Sequence, residues 1–139
     1  VTEAIVFPDV EDLLRIYLAD QLEDVFAFTD IAVHAAQRPT PLPDRMVFLR
    51  RTGGTSRDIV TDLAQVTVEA YGRTGSDAIL IAQMVQALMG TLERDGGTAG
   101  VAIHDVQVFS GPYLDPDQLA PNHYRYSATY QAAVRGTAH

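Results

Sequence analysis

From His123 to Arg135, thirteen consecutive residues alternate in character. Tyr124, Tyr126, Ala128, Tyr130, Ala132 and Val134 fall on one side, and Arg125, Ser127, Thr129, Gln131 and Arg135 on the other. A period of two marks a strand, and at about 3.3 Å per residue this one spans roughly 40 Å, where five or six residues is usual. Either it bends or bulges within one subunit, or part of it overhangs the domain. An overhang leaves main-chain groups unpaired and invites aggregation unless another molecule covers it. The second reading is therefore an argument for assembly.

The preceding segments place this strand in a layered fold. After Ile5-Val6-Phe7 and Pro8-Asp9, apolar residues recur at Val10, Leu13, Leu14, Tyr17, Leu18, Leu22 and Val25. That spacing predicts an amphipathic helix with Asp9 as N-cap and Glu11 and Asp12 at the positive end of its dipole. A strand is expected over Thr29–Gln37, and Pro39, Pro41 and Pro43 then forbid regular structure. A second strand, Arg45–Thr52, carries Val47, Leu49 and Arg51 on one face and Met46, Phe48 and Arg50 on the other, so both faces are partly covered near its start. Residues 53–58 are turn-rich, and the Gly53-Gly54 segment reads as a flexible hairpin tip. The third strand, Gln65–Gly72, turns Val66, Val68 and Ala70 inward and Thr67, Glu69 and Tyr71 to the other face. Ser76-Asp77 opens a second helix to Arg94, whose broad apolar stripe, widened by Ile79, Leu80 and Met84, implies burial on more than one side. Gly96-Gly97 stops it. Strands at Val101–Phe109 and His123–Arg135 close the chain, with a proline-punctuated loop from Gly111 to Asn122 between them.

The order αβββαββ predicts an α+β fold, a mostly antiparallel sheet of about five strands with both helices on one face. At 139 residues with 47% hydrophobic and 20% charged side chains, the chain is expected to be one ordered domain, 1–139, rather than disordered. No stretch approaches 18 apolar residues and no positively charged, apolar, small-residue series opens the sequence. The expectation is a protein of cytoplasmic origin with no membrane partner.

Composition removes several chemistries. Cysteine, tryptophan and lysine are absent, and with them thiol nucleophiles, zinc–thiolate clusters, Schiff bases and the phosphate-binding lysine of a P-loop. All ten cations are arginine against eighteen carboxylates, a net charge of −8 that repels phosphate backbones and anionic lipid. His34, His104, His123 and His139 form no metal-binding spacing, and the Arg-Thr-Gly-Gly-Thr-Ser-Arg run at 51–57 lacks the Walker spacing. No G-x-S-x-G elbow surrounds a serine. Neither catalytic residues, metal nor cofactor are expected. An enzyme using His34 or His104 as general base beside an arginine is the alternative, and it needs a closed pocket. Acid pairs such as Asp115 with Asp117 fall in turns, where capping accounts for them. Asp62 and Glu69 lie near the arginines of the preceding strand and could form fork-shaped pairs within or between subunits. The 111–122 loop, with Tyr113, Leu114 and Leu119, has the makeup of a segment that orders against another protein or packs on its own sheet.

Taken in order, Phe7-Pro8-Asp9-Val10-Glu11, Arg50-Arg51-x-Gly53-Gly54 with Arg57 and Asp62, Val66-x-Val68-Glu69-Ala70-Tyr71, and a Tyr-rich last strand ending Val134-Arg135-Gly136 resemble the tail terminator (tail completion) proteins of long-tailed phages infecting GC-rich actinobacteria. The resemblance runs over almost the whole chain. It implies a structural virion protein of the tail and neck, not an enzyme. Six copies would form a ring that stops tail-tube polymerisation, meets the tail tube protein on one side and the head-side connector or stopper on the other, and lets DNA pass through its hole without specific contacts. A connector stopper is the neighbouring reading. Carried onto this sequence, Arg50, Arg51, Arg57, Asp62, Glu69, Arg125 and Arg135 become subunit-contact candidates, and Tyr113, Leu114 and Leu119 docking candidates. A head-to-tail ring needs two different complementary patches per copy, and the last strand and the arginine-bearing hairpin are the expected pair.

Overall fold

Asp9 caps the first helix as its sequence predicts: its carboxylate accepts from the Asp12 amide at 3.3 Å, and α1 (Val10–Phe26) follows. Val10, Leu14, Tyr17, Leu18 and Leu22 are buried along one stripe of α1, and Ala27 closes it in a left-handed conformation. The computed structural model describes residues 3–139. The second helix, α2 (Gly75–Arg94), begins slightly before the predicted start, because the Thr74 hydroxyl, not Ser76, accepts from the Asp77 amide. Its buried stripe includes Met84, but Leu80 is exposed, so α2 is covered less completely than its composition suggests. The Tyr17 hydroxyl ties the helices together by donating to the Leu88 carbonyl at 2.7 Å.

The strands are β1 (Ile5–Val6), β2 (Ala32–Ala35), β3 (Met46–Ser56), β4 (Thr61–Gly72), β5 (Gly97–Thr98), β6 (Val101–Leu114), β7 (Tyr124–Arg135) and β8 (Thr137–Ala138). β1 and β8 form a small antiparallel pair, and the others form a six-stranded sheet in the order β2-β3-β4-β7-β6-β5. Among the described residues only β2 and β3 run parallel; every other neighbouring pair is antiparallel. The α+β expectation holds, with a sixth, very short strand added. Both helices pack on one face, over a core built from Val47, Leu49, Val66, Val68, Tyr130 and Val134 among others. Beneath the other face, Met46, Phe48, Tyr71 and Ala120 make a second small cluster with Ala32 and Leu42. Its cover comes from the two proline-containing loops, which is why the start of β3 is apolar on both sides.

The long last strand does not overhang. β7 is central, paired with β4 along its whole length, from Thr61 opposite Arg135 to Gly72 opposite Tyr124, and with β6 on its other side. Its length is met by two neighbours that are longer than their sequence patterns suggested. β4 starts at Thr61, because the turn tightens to residues 57–60, where Asp58 accepts from the Val60 amide at 2.9 Å. β3 continues through Gly53 and Gly54, which are strand residues at φ 127° and 121° after a bulge between Arg51 and Gly53, not a flexible tip. β6 continues through Gly111-Pro112 to Leu114 by accepting three register breaks. Strand pairing over such a length outweighs local turn preference, at the cost of bulges where glycine and proline sit.

Candidate assembly surfaces

The two ends of the sheet hold different clusters. At the hairpin end, Arg51 makes a two-pronged pair with Asp62, at 2.6 and 2.7 Å, and the Arg51 amide donates to Glu11 of α1 at 2.9 Å. Asp62 is buried and Arg51 half-buried, so this pair fastens β3 to β4 and both to α1 within one chain. The Arg51 guanidinium holds its proton more firmly than usual, chiefly through the Asp62 bond. Arg57 reaches Asp105 of β6 at 3.0 Å between exposed side chains, and Ile59 at the turn is 82% exposed. Arg50 stands exposed on the sheet face away from the helices, opposite Thr67, and Arg135 is exposed opposite Thr61.

At the other end, charged side chains are enclosed. Glu69, Asp115 and Asp117 surround Arg125, whose Nη1 lies 3.6 Å from both the Glu69 and Asp117 carboxylates and whose Nη2 lies 3.2 Å from Asp115. The Arg125 Nε donates to the Asp115 carbonyl at 2.7 Å, and the Ser127 hydroxyl to the Asp115 carboxylate at 2.7 Å. Arg38 arrives from the proline-rich loop to bond Asp117 and to donate to the Tyr71 hydroxyl at 2.8 Å. The Tyr71 hydroxyl donates in turn to Asp117 at 3.2 Å, and the His123 ring meets the Pro43 carbonyl at 2.8 Å. Burial pushes the Tyr71 hydroxyl up, only partly opposed by its Arg125 and Arg38 partners. Burial also pushes Asp117 up, but the Arg38 bond, the Leu119 amide and the nearby charges prevail and hold it below the usual carboxylate range. Ions this enclosed are tolerable only when paired and hydrogen-bonded. The result is a lock holding residues 37–44 and 115–123 to the sheet.

That lock bears on the predicted docking residues. Leu119 sits on the held loop and is 82% exposed, beside the buried Ala120. Tyr113 and Leu114 are not in the loop; they end β6, opposite Ser127 and Tyr126, each about half exposed. Among the predicted contact residues, the structure brings Arg51 to Asp62 and Glu69 to Arg125. Arg38, Tyr71, Asp115, Asp117 and Ser127 escaped the sequence reading, since a turn role explained the two aspartates and nothing local linked Arg38 to them. Asp117 does serve the turn, accepting from the Leu119 amide at 3.0 Å, as well as the ion network.

A groove of about 680 Å³ lies against α2, lined by Val25, Phe26, Gln83, Ala87, Thr91 and Pro112 among others. Neither His34 nor His104 borders it; His34 lies opposite Phe48 and His104 opposite Ala133. Among the described residues no helix is long and apolar enough to cross a membrane, and no group of three His, Cys, Asp or Glu side chains could hold a metal ion.

The same fold occurs in a chain of a virion. A chain in the virion of the native gene transfer agent particle superposes with a TM-score of 0.63 over 92% of this chain and 98% of that one, at 14% sequence identity. No protein-family model matches the sequence, and no curated protein matches it. At that identity the likeness is one of fold, extending over most of this chain and nearly all of that one.

Proposed function

We propose that this chain is a structural protein of a phage-like particle, a ring-forming terminator that caps the tail tube, ends its polymerisation and joins it to the head-side connector. The observation that carries the reading is the near end-to-end likeness to the virion chain, with little of either protein left over. The ordered series of sequence motifs that resembles tail terminators supports the finer assignment. Exposed Ile59 and exposed Leu119 lie at opposite ends of the long strands, the first on a turn tied by Asp58 and the second on a loop held by the buried ion network. A ring with strands along its axis would present one set on each rim, suited to two different neighbours, the tail tube and the connector. DNA would cross the hole without specific contacts, in keeping with the net charge of −8. The test is electron microscopy of the purified protein mixed with tail-tube subunits. Rings seated on tube ends, and tubes that stop lengthening, are expected; tubes that grow unchanged with no protein at their tips refute the assignment. Labelled protein lying on the connector side of the neck, away from the tube, would make it a stopper.

A further inference from the structure

We infer that successive copies join sheet edge to sheet edge, the outer margin of β3 in one copy pairing antiparallel with the outer margin of β6 in the next. This rests on the ring reading and specifies its joint. β2 covers β3 only from Met46 to Leu49, and β5 covers β6 only at Val101 and Ala102. Among the described residues, β3 from Arg50 to Ser56 and β6 from Ile103 onward have no strand beyond them.

These open margins lie at the same height. The row that starts at Arg50 passes through Thr67 and Thr129 and ends at Ser110; the row from Arg51 passes through Val66 and Tyr130 to Val108. The row from Gly53 ends at Gln107, and that from Ser56 runs through Asp62 and Val134 to Ile103. Arg50–Ser56 and Ile103–Ser110 are thus opposite borders of the same band of sheet. Their directions suit one another too: three successive antiparallel pairings leave β3 and β6 running oppositely. Rotation about an axis along the strands sets one copy's β3 margin beside the next copy's β6 margin, level and antiparallel, which is the hydrogen-bonding arrangement a sheet continues by. Because the two margins differ, the contact is head-to-tail and can close into a ring.

The exposed side chains fit a covered margin. Val108 and Phe109 on β6 are each about half exposed, an apolar stretch on an edge strand that would aggregate if left open. The register breaks in β6 and the bulge in β3 keep either margin from being a flat template for any passing strand. The Glu11 carboxylate takes up the Arg51 amide at the inner limit of the β3 margin, so pairing begins at Thr52. All copies would turn their helices to the same side of the continuous sheet. The opposite surface would carry the uncharged side chains of Thr52, Gln65, Thr67, Gln107, Thr129 and Gln131, together with the exposed Arg50 opposite Thr67.

The chain has no cysteine, so paired substitutions read this joint without background. Thr52→Cys and Gln107→Cys, both at exposed positions, are purified separately, mixed in equal amounts and mildly oxidised, with Thr55→Cys and His104→Cys, level across the sheet, as a second pair. Covalent dimers containing one of each variant are expected, and the Thr52→Cys/Gln107→Cys double variant should give a ladder ending at a discrete size. Homodimers of either single variant forming as readily as the mixed dimer would overturn the proposal, because they indicate a two-fold contact. Ring-sized particles by light scattering without mixed cross-links would overturn the edge joint while leaving the ring intact. Monomers at every concentration without cross-links would remove both.

Discussion

Replacing Arg125 by methionine keeps most of the side-chain stem and deletes the cation that three carboxylates share. Arg125 is 18% exposed, and Glu69 and Asp117 less still. The wild-type cluster sets three carboxylates against Arg38 and Arg125; the variant leaves three against one. Breaking a buried pair by removing one partner costs about 3–5 kcal/mol, and the partial exposure of Arg125 puts this site near about 3 kcal/mol. For a domain of this size that corresponds to a fall in Tm of roughly 10 °C. Urea unfolding at pH 7 measures the stability loss, and hydrogen exchange measures where it acts: amides from 115 to 123 should lose protection before those of β4 and β7. Adding Glu69→Gln to Arg125→Met removes one orphaned charge and should restore at least half of the loss. A penalty below about 1 kcal/mol would show that the cluster behaves as a solvated surface. A double variant no more stable than the single one would show that the loss comes from packing rather than charge.

The Tyr130 hydroxyl is buried in the core without a hydrogen-bond partner, so Tyr130→Phe should stabilise the fold by about 1 kcal/mol in chemical denaturation. Burial pushes that hydroxyl up to about 12, above its unfolded value near 10, so the neutral form is favoured when folded. Its contribution is intact below about pH 10 and lost as pH rises through 12, and Tyr130→Phe should lessen the alkaline fall in stability by roughly 2–3 kcal/mol. Asp117, held below the usual range, works in the opposite sense: its contribution is present above about pH 4 and lost as pH falls through the lower folded value, which loss of Leu119 amide protection would report. Gly54→Ala would drive a methyl into the Leu63 carbonyl, whereas at Gly53, also at positive φ, a methyl meets open space. Thermal melts should therefore show a loss of about 3 kcal/mol for the first and about 1 kcal/mol for the second.

Both helices were legible in the sequence because helix periodicity, an N-cap and a dipole-matched first turn are short-range features, and Asp9 with Val10–Leu22 supplies all three. Strand alternation likewise revealed β7 and the inward face of β4. Where strands ended was less legible. Gly53-Gly54 and Gly111-Pro112 carry turn chemistry, but pairing with β4 and β7 across the sheet draws them into β3 and β6, and the gain from long-range ladder bonds is invisible in a local window. Near neighbours such as Arg51 and Asp62 were within reach of sequence reasoning, since a hairpin brings them together. Arg38 with Asp117 and Glu69 with Arg125 were not: the first pair meets only after two loops fold onto the second face of the sheet, and the second only because β4 and β7, far apart along the chain, become neighbouring strands.

Sequence alone therefore determined the α+β class, the two helices and the unusual length of the final strand, because each follows from residue spacing within one segment. Tertiary structure decided where that strand goes. By centring β7 between β4 and β6 it moved the unpaired margins to β3 and β6, since which edges stay open depends on strand order, a property of the whole sheet that no single strand encodes.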